Sequence, residues 1–198
     1  MLAIVAPATS GYSHLSYKSL ASFRGKPLIM HALNTLTNIS DDVLISTNDP
    51  DSYDRFGTPM VADIYPAHGP LAGLHAGLRA ARHDLMAVVP CDMPFASGAL
   101  LLYLAAEAVN YDVVLPTSPG EGGRIHYEPL HAVYRRSCLP AIEAALKNGV
   151  QRVRMFYPQV SVREVHYEEW CSVPEADLSV FANVNTPGDL EKWMHAGP

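Results

Sequence analysis

Cysteine is scarce, and basic runs and long apolar stretches are missing altogether. Each absence removes a class of protein. The three cysteines, Cys91, Cys138 and Cys171, are odd in number and far apart. That pattern suits free thiols in a reducing cytosol rather than a disulfide framework. No C-x-x-C occurs, which argues against a structural zinc site. Nine histidines are present, yet none falls in H-x-H or H-x-x-x-H ligand spacing. A formal net charge of −6 without a basic cluster argues against nucleic acid or a membrane surface as partner. No apolar run approaches transmembrane length. The chain opens on a strand-like segment and lacks the basic region and long apolar stretch of a secretory signal. A soluble, cytoplasmic protein is expected.

What is present describes an ordinary globular chain, with 48% hydrophobic and 17% charged residues. Its 198 residues, without repeat or low-complexity linker, predict one domain over 1–198. Apolar runs at Leu2–Ala6, Val43–Thr47, Met60–Ala62, Leu85–Val89 and Asp112–Leu115 read as strands. Helical spacing appears at Pro27–Asn38, near 51–55, at 70–82 and at Leu100–Val109. Residues 8–19 and 116–127 read as loops, with a brief extended piece at Leu20–Phe23. Strand alternates with helix, and parallel strands joined by right-handed crossovers give a doubly wound α/β fold. Further on, His131–Tyr134 and Val160–Tyr167 read as strands, and Cys138–Asn148 as a helix closed by Gly149. Gln151–Tyr157 reads as a short helix and Phe181–Asn185 as a last strand. Thr186 and Pro187 then open a C-terminal helix as cap and first residue.

The most informative stretch is Met86-Ala87-Val88-Val89-Pro90-Cys91-Asp92-Met93-Pro94-Phe95. A buried strand ends at a proline, and one carboxylate follows between two rigid residues. Ligands of an open parallel sheet bind beyond the carboxyl ends of its strands, where Asp92 stands. Turn or N-cap duty is the structural alternative for such an aspartate. Other strand ends bring Lys18, the Ser46–Asp49 turn and Asp63 to the same edge, and Asn183 and Asn185 add carboxamides. Hard oxygens with one lysine suit a magnesium–nucleotide complex.

With Gly25-Lys26-Pro27-Leu28, Gly69-Pro70-Leu71-Ala72-Gly73 and Pro90-Cys91-Asp92-Met93-Pro94, the sequence resembles the molybdenum cofactor guanylyltransferase (MobA-like) family. Glu128-Pro129-Leu130-His131-Ala132-Val133-Tyr134 and Asn183-Val184-Asn185-Thr186-Pro187 complete five matches in order, over nearly the whole chain. The resemblance implies a three-layer α/β/α, nucleotide-diphospho-sugar transferase-like fold with a mostly parallel, Rossmann-like sheet. It implies transfer of GMP from GTP, or of another NTP's nucleotide, to molybdopterin with release of pyrophosphate. It also implies transient contact with other molybdenum cofactor proteins. By position, Asp92 resembles the Mg²⁺ ligand, Asp63 a nucleoside contact and Lys18 the lysine closing the phosphate loop. Lys18 and Asp92 would be catalytic, Val5 and Ala6 would lie against guanine, and Asn183 and Asn185 would face the pterin.

The first loop departs from the family pattern of Leu-Ala-Gly-Gly, three residues, Arg-Met-Gly and a later Asp-Lys. Counting back from Lys18, Pro7 and Ala8 stand at the glycines and Tyr12 at the arginine. Ser13, His14 and Tyr17 replace methionine, glycine and aspartate. Glycine backbone can approach phosphate closely, proline has no N–H, and tyrosine cannot replace a bidentate guanidinium. Thr9, Ser10, Ser13, Ser16 and His14 are the groups available to rebuild such a cradle. A second reading is therefore a catalytically impaired relative that binds a nucleotide, a pterin or a protein partner. His126, in the glycine-rich loop, is a further candidate contact. His131 reads as a packed, hydrogen-bonded histidine, and Cys91 as small packing beside Asp92.

Overall fold

A computed structural model describes residues 3–7 and 16–195, and the first apolar run lies inside its main sheet, between two other strands, as β1 (Ala3–Pro7). A single turn, α1 (Ser16–Ser19), and a small hairpin of β2 (Ser22–Phe23) and β3 (Lys26–Pro27) lead into α2 (Leu28–Thr37). There follow β4 (Asp42–Ser46), β5 (Met60–Val61), α3 (Gly69–Ala80), β6 (Leu85–Val88) and α4 (Gly98–Glu107). The second half contributes β7 (Val113–Pro119), β8 (Ile125–Tyr127), β9 (Ala132–Arg135), α5 (Leu139–Lys147), β10 (Val162–Val165), α6 (Tyr167–Trp170) and α7 (Pro187–His195).

The strand order is β10-β7-β9-β6-β1-β4-β5, with β8 paired to β7. Strands β1, β4, β5 and β6 are parallel, as are β7 and β10, whereas β9 runs antiparallel to both β6 and β7. The mostly parallel, doubly wound sheet expected from the sequence is therefore present. Side chains alternate across it. Met86 and Val88 of β6 join Leu71, Leu74 and Leu78 of α3 and Ile142 and Leu146 of α5 on one face. Ala87 and Val89 join Leu36 of α2 and Leu100, Leu101 and Leu104 of α4 on the other. Burial on both faces is why β6 reads as an unbroken apolar run rather than an alternating one. Truncating a buried leucine here, such as Leu100, is expected to cost about 2–5 kcal/mol. No helix among the described residues is long and apolar enough to cross a membrane.

Several local expectations are corrected. The 8–19 segment is not wholly loop, because α1 carries Lys18 on a helical turn. Ala8, Thr9, Ser10, Tyr12, Ser13 and His14 lie outside the described residues. Pro27 is the residue before α2 and pairs within β3, rather than opening the helix. The helix near 51–55 is two 3₁₀ turns, Pro50–Ser52 and Asp54–Phe56, and Gln151–Tyr157 is a 3₁₀ segment at Val153–Gln159. The 116–127 loop is instead a hairpin, in which Thr117 pairs with Tyr127 and Pro119 with Ile125. Its glycines occupy the tip, where Gly122 and Gly123 have φ of 67° and 75°. Finally, Phe181–Asn185 is not a strand. A 3₁₀ turn, Leu178–Phe181, precedes a non-repetitive segment that carries Val184 into a cluster with Phe23 and Leu28. The α5 terminus is as expected: Gly149, at φ 74°, donates to the Leu146 carbonyl and Val150 to that of Ala145.

Candidate active site

From β1 the chain moves to β4 on one side, then returns to β6 on the other, so the carboxyl ends of β1 and β6 diverge. Such a switch point opens a crevice for ligands. Asp92 stands there, four residues beyond β6. Met93 N–H donates to the Pro90 carbonyl and Ala96 N–H to that of Met93, both at 3.3 Å, folding the segment into two tight turns. The cap of α4 is Ser97, whose hydroxyl oxygen accepts from Leu100 N–H at 3.1 Å. The structure thus removes the reading of Asp92 as a helix cap. The Asp92 carbonyl accepts from Val184 N–H at 2.9 Å, which ties the C-terminal segment beside the carboxylate.

Three side chains expected at the site come together. Lys18 Nζ donates to Asp92 Oδ2 at 2.8 Å and also to Asn185 Oδ1. The Lys18 and Asp92 side chains are only 16% and 17% exposed, so water screens this pair less than a surface ion pair. Each partner is held from behind. Ala21 N–H bonds the Lys18 carbonyl, and Ser19 Oγ lies 2.6 Å from the buried Tyr53 hydroxyl. At the other end, Asp189 Oδ2 accepts from Asn185 N–H at 3.0 Å and from Thr186 N–H and Oγ1 at 2.9 Å. Thr186 Oγ1 in turn accepts from Asp189 N–H at 3.1 Å, so Thr186 caps α7 as expected. The Thr186 hydroxyl and the two backbone donors hold the Asp189 carboxyl below the usual aspartate range.

Asp63 belongs to a second group farther along the same edge. It accepts from Asn48 Nδ2 at 2.8 Å and returns a bond from its own N–H to Asn48 Oδ1 at 2.9 Å. This pair joins the ends of β4 and β5, one strand beyond β1. Ser46 is buried beside it at the end of β4, paired with Pro7. Val5 and Ala6 lie in the β1 ladder, opposite Leu44 and Ile45. Asn183 stands apart from the lysine cluster and spends its amide on the Phe181 carbonyl at 3.2 Å.

On the far side of Asp92, at the ends of β7 and β9, sequence reasoning singled out no acid. Glu128 is half-buried there, and burial pushes its carboxyl up to about 7. Ser118 Oγ donates to it at 3.4 Å, and Glu128 N–H bonds the Pro116 carbonyl at 3.2 Å. The signal available was an acid followed by proline at the mouth of an apolar strand. His131 is fully buried, with its ring edge-on to Phe181 at 5.4 Å. Neither ring nitrogen makes a well-aligned hydrogen bond among the described residues, although the nearby Ser97 backbone favours its charged form slightly. Burial dominates and lowers the imidazole to about 4, so it is neutral at pH 7. His131 is packed, as expected, but not through the hydrogen bonds expected. His126 is exposed and lies against Gly120, where any Cβ would meet the ring at 2.1 Å. Cys91 is buried near Ile29 and Tyr53, consistent with packing.

A carboxylate and a carboxamide oxygen therefore converge on one cationic nitrogen, at the mouth of a switch-point crevice. Comparisons with known proteins agree with this architecture. A family model described as the MobA-like NTP transferase domain matches residues 13–163. A probable molybdenum cofactor guanylyltransferase of Pelotomaculum thermopropionicum is 35% identical over 175 residues, covering 88% of this chain and 82% of that protein. Another from Carboxydothermus hydrogenoformans is 31% identical over 179 residues, covering 89% and 86%. The crystal structure of molybdopterin-guanine dinucleotide biosynthesis protein A from Archaeoglobus fulgidus superposes with a TM-score of 0.79. It is 22% identical and covers 96% of either chain, a likeness of fold. Sequence match and fold together place this chain in the MobA-like NTP transferase domain family, among the molybdenum cofactor guanylyltransferases.

Proposed function

We propose that the protein transfers GMP from GTP to the phosphate of molybdopterin, releases pyrophosphate, and uses Mg²⁺ held by Asp92. The observation that carries this reading is the convergence of Asp92 and Asn185 on the Lys18 ammonium. The ammonium stands where two hard oxygen donors favour a cation, which is the donor chemistry of Mg²⁺. No group of three or more His, Cys, Asp or Glu gathers among the described residues. Mg²⁺ does not require one, since it commonly takes one or two carboxylates, water and substrate phosphate. When bound, Mg²⁺ would supply charge neutralisation on the reacting phosphates.

The chain's own residues then have distinct tasks. Lys18 exchanges Asp92 for the triphosphate, offsetting charge as pyrophosphate departs. Val5 and Ala6, with Asp63 beyond them, form the nucleoside side of the crevice. Asn185, freed from Lys18, and Asn183 present carboxamides to the acceptor. An acceptor phosphate oxygen attacks the α-phosphorus in line, and the bond to the bridging oxygen of the β-phosphate breaks. Both electrons of that bond leave with pyrophosphate. No covalent enzyme intermediate is required, because positioning and electrostatics suffice for such transfer.

The test is calorimetric titration with GTP, CTP and ATP at fixed Mg²⁺, followed by pyrophosphate release with molybdopterin. Preference for GTP and acceptor-dependent pyrophosphate are expected. GTP binding without pyrophosphate release would leave a binding protein in place of an enzyme.

A further inference from the structure

Glu128 is a half-buried acid at the sheet's carboxyl edge that the proposed transfer does not use; Asp49, beyond β4, is another, but it already accepts from Ser52 Oγ at 2.6 Å. Its placement follows from β9 being antiparallel. Because β9 starts where β6 ends, the segment Glu128–His131 returns to the same edge as Asp92. Glu128 then sits beside β7, where its pairing with β10 ends, through its backbone bond to Pro116. Two inter-strand spacings, from β6 to β9 to β7, put it about 10 Å across the sheet from the Asp92 strand. The nucleoside side of the crevice, with β1, β4 and Asp63, lies in the opposite direction.

The carboxyl is also poorly satisfied. Its only hydrogen bond among the described residues is the long one from Ser118 to Oε1, and Oε2 has none. An acid withdrawn from water and left short of donors is costly unless a ligand completes it. No salt bridge to Glu128 exists among the described residues. The titratable groups around it include His126 and Tyr127 on β8, His131 before β9, Arg154 stacked on Tyr127, and His166 beside Thr117. They also include Tyr134, whose hydroxyl donates to the Pro129 carbonyl, Tyr157 beyond it, and Glu164 opposite Leu115. His131 is neutral at pH 7, and Arg154 has its guanidinium 3.5 Å from the Tyr127 ring centroid.

We propose that Glu128 selects the acceptor, its carboxylate receiving the paired N–H groups of a pterin's amino-pyrimidinone edge while the acceptor phosphate lies at Asp92. This rests on the guanylyl-transfer reading above and adds a specificity residue to it. A ring N–H beside an exocyclic NH₂ presents two parallel donors, which a carboxylate meets with both oxygens. Guanine offers a similar edge, but it belongs to the β1 side, so Glu128 discriminates acceptor rather than nucleotide.

The test uses the full chain with Mg²⁺ and a pterin monophosphate as fluorescent probe, comparing native protein with Glu128→Gln. Pterin-phosphate Kd is expected to weaken about tenfold in Glu128→Gln at pH 8. GTP Kd should be unchanged, which also reports that the variant is folded. In native protein, binding is expected above pH about 7 and to weaken below it, as the carboxylate takes up a proton and becomes a donor itself. The same probe titrates in both proteins, so the difference between their pH profiles isolates Glu128. Equal pterin Kd in the two proteins, no probe binding by native protein, or a loss confined to GTP would each overturn the inference. Glu128-dependent pterin binding with no guanylyl transfer would instead overturn the proposed function and leave this inference standing.

Discussion

Asp112 at one edge of the sheet, and Asp92 and Glu128 at the other, are partnered in opposite ways. At the edge where β7 and β10 begin, Asp112 accepts from Ser137 Oγ, from Ser161 N–H at 2.9 Å and from Ser161 Oγ at 2.7 Å. Nearby, Arg135 meets Asp84 at 2.6 Å, and Arg136 donates to the carbonyls of Ala81 and His83. Every donor there is a neighbour in the fold. At the other edge, Asp92 has one displaceable ammonium and Glu128 one long hydrogen bond. Saturated acids fasten loops, whereas acids left short of partners are available to a ligand. The electrostatics follow the same division. The serine hydroxyls, Ser137 first, hold Asp112 below its usual range, while burial raises Glu128.

The sharpest break in that contrast is at Asp92. Asp92→Asn keeps the shape and removes the charge, so pyrophosphate release should fall by ~10²–10³ with the thermal midpoint nearly unchanged. If rate is unaffected, Asp92 is a turn residue and the carboxyl edge loses its centre. The converse substitution, Asp112→Ala, should cost about 1–3 kcal/mol of stability in denaturant titration while kcat/KM stays the same. Because the folded pKa of Asp112 is depressed, its contribution is present above the unfolded value of 3.8 and is lost as pH falls through the folded one. The stability gap between native and Asp112→Ala should therefore close in strong acid.

A smaller effect is expected at the first loop. Pro7→Gly, Ala8→Gly and Tyr12→Arg together should tighten GTP binding by at least ~1.4 kcal/mol, about tenfold, and should be coupled rather than additive. Titrations of GTP and GMP in the native and triple-variant proteins provide the check. No gain in a folded triple variant would mean that the loop does not face phosphate. Smallest is the stability effect of Glu128. Its raised pKa means that the folded chain holds a proton longer, so stability falls as pH rises from 4.5 towards about 7. At pH 8, Glu128→Gln should be more stable by on the order of 1 kcal/mol, seen as a higher thermal midpoint, with no gain at pH 4.

Legibility followed burial. Leu85–Val89 was readable because both faces of β6 are covered and Pro90 stops it. Its carboxylate was readable because two prolines leave it no helix or ladder to join. Phe181–Asn185 misled because it is a short segment holding Phe and Val, both common in strands, and is closed by Thr186-Pro187. Yet Val184 packs on Phe23 and Leu28 while one hydrogen bond, to the Asp92 carbonyl, holds its backbone. The β8 pairing was hidden by the glycines of its tip, which read as a loop. Three glycines there relieve a turn and a close approach to His126 rather than mark loss of structure.

The sequence by itself determined the layered α/β fold, the strand-end location of Asp92, and the family. These depend on local periodicity, chain-breaking residues and motif order, all of which are written along the chain. Tertiary structure alone decided that Asn185, not Asn183, closes on Lys18, that Asp63 pairs with Asn48 apart from them, and that Glu128 is short of donors. Those outcomes depend on distances between residues up to 167 positions apart and on how much water each group retains. Neither quantity is local, because both arise only when separate strands are brought to one edge.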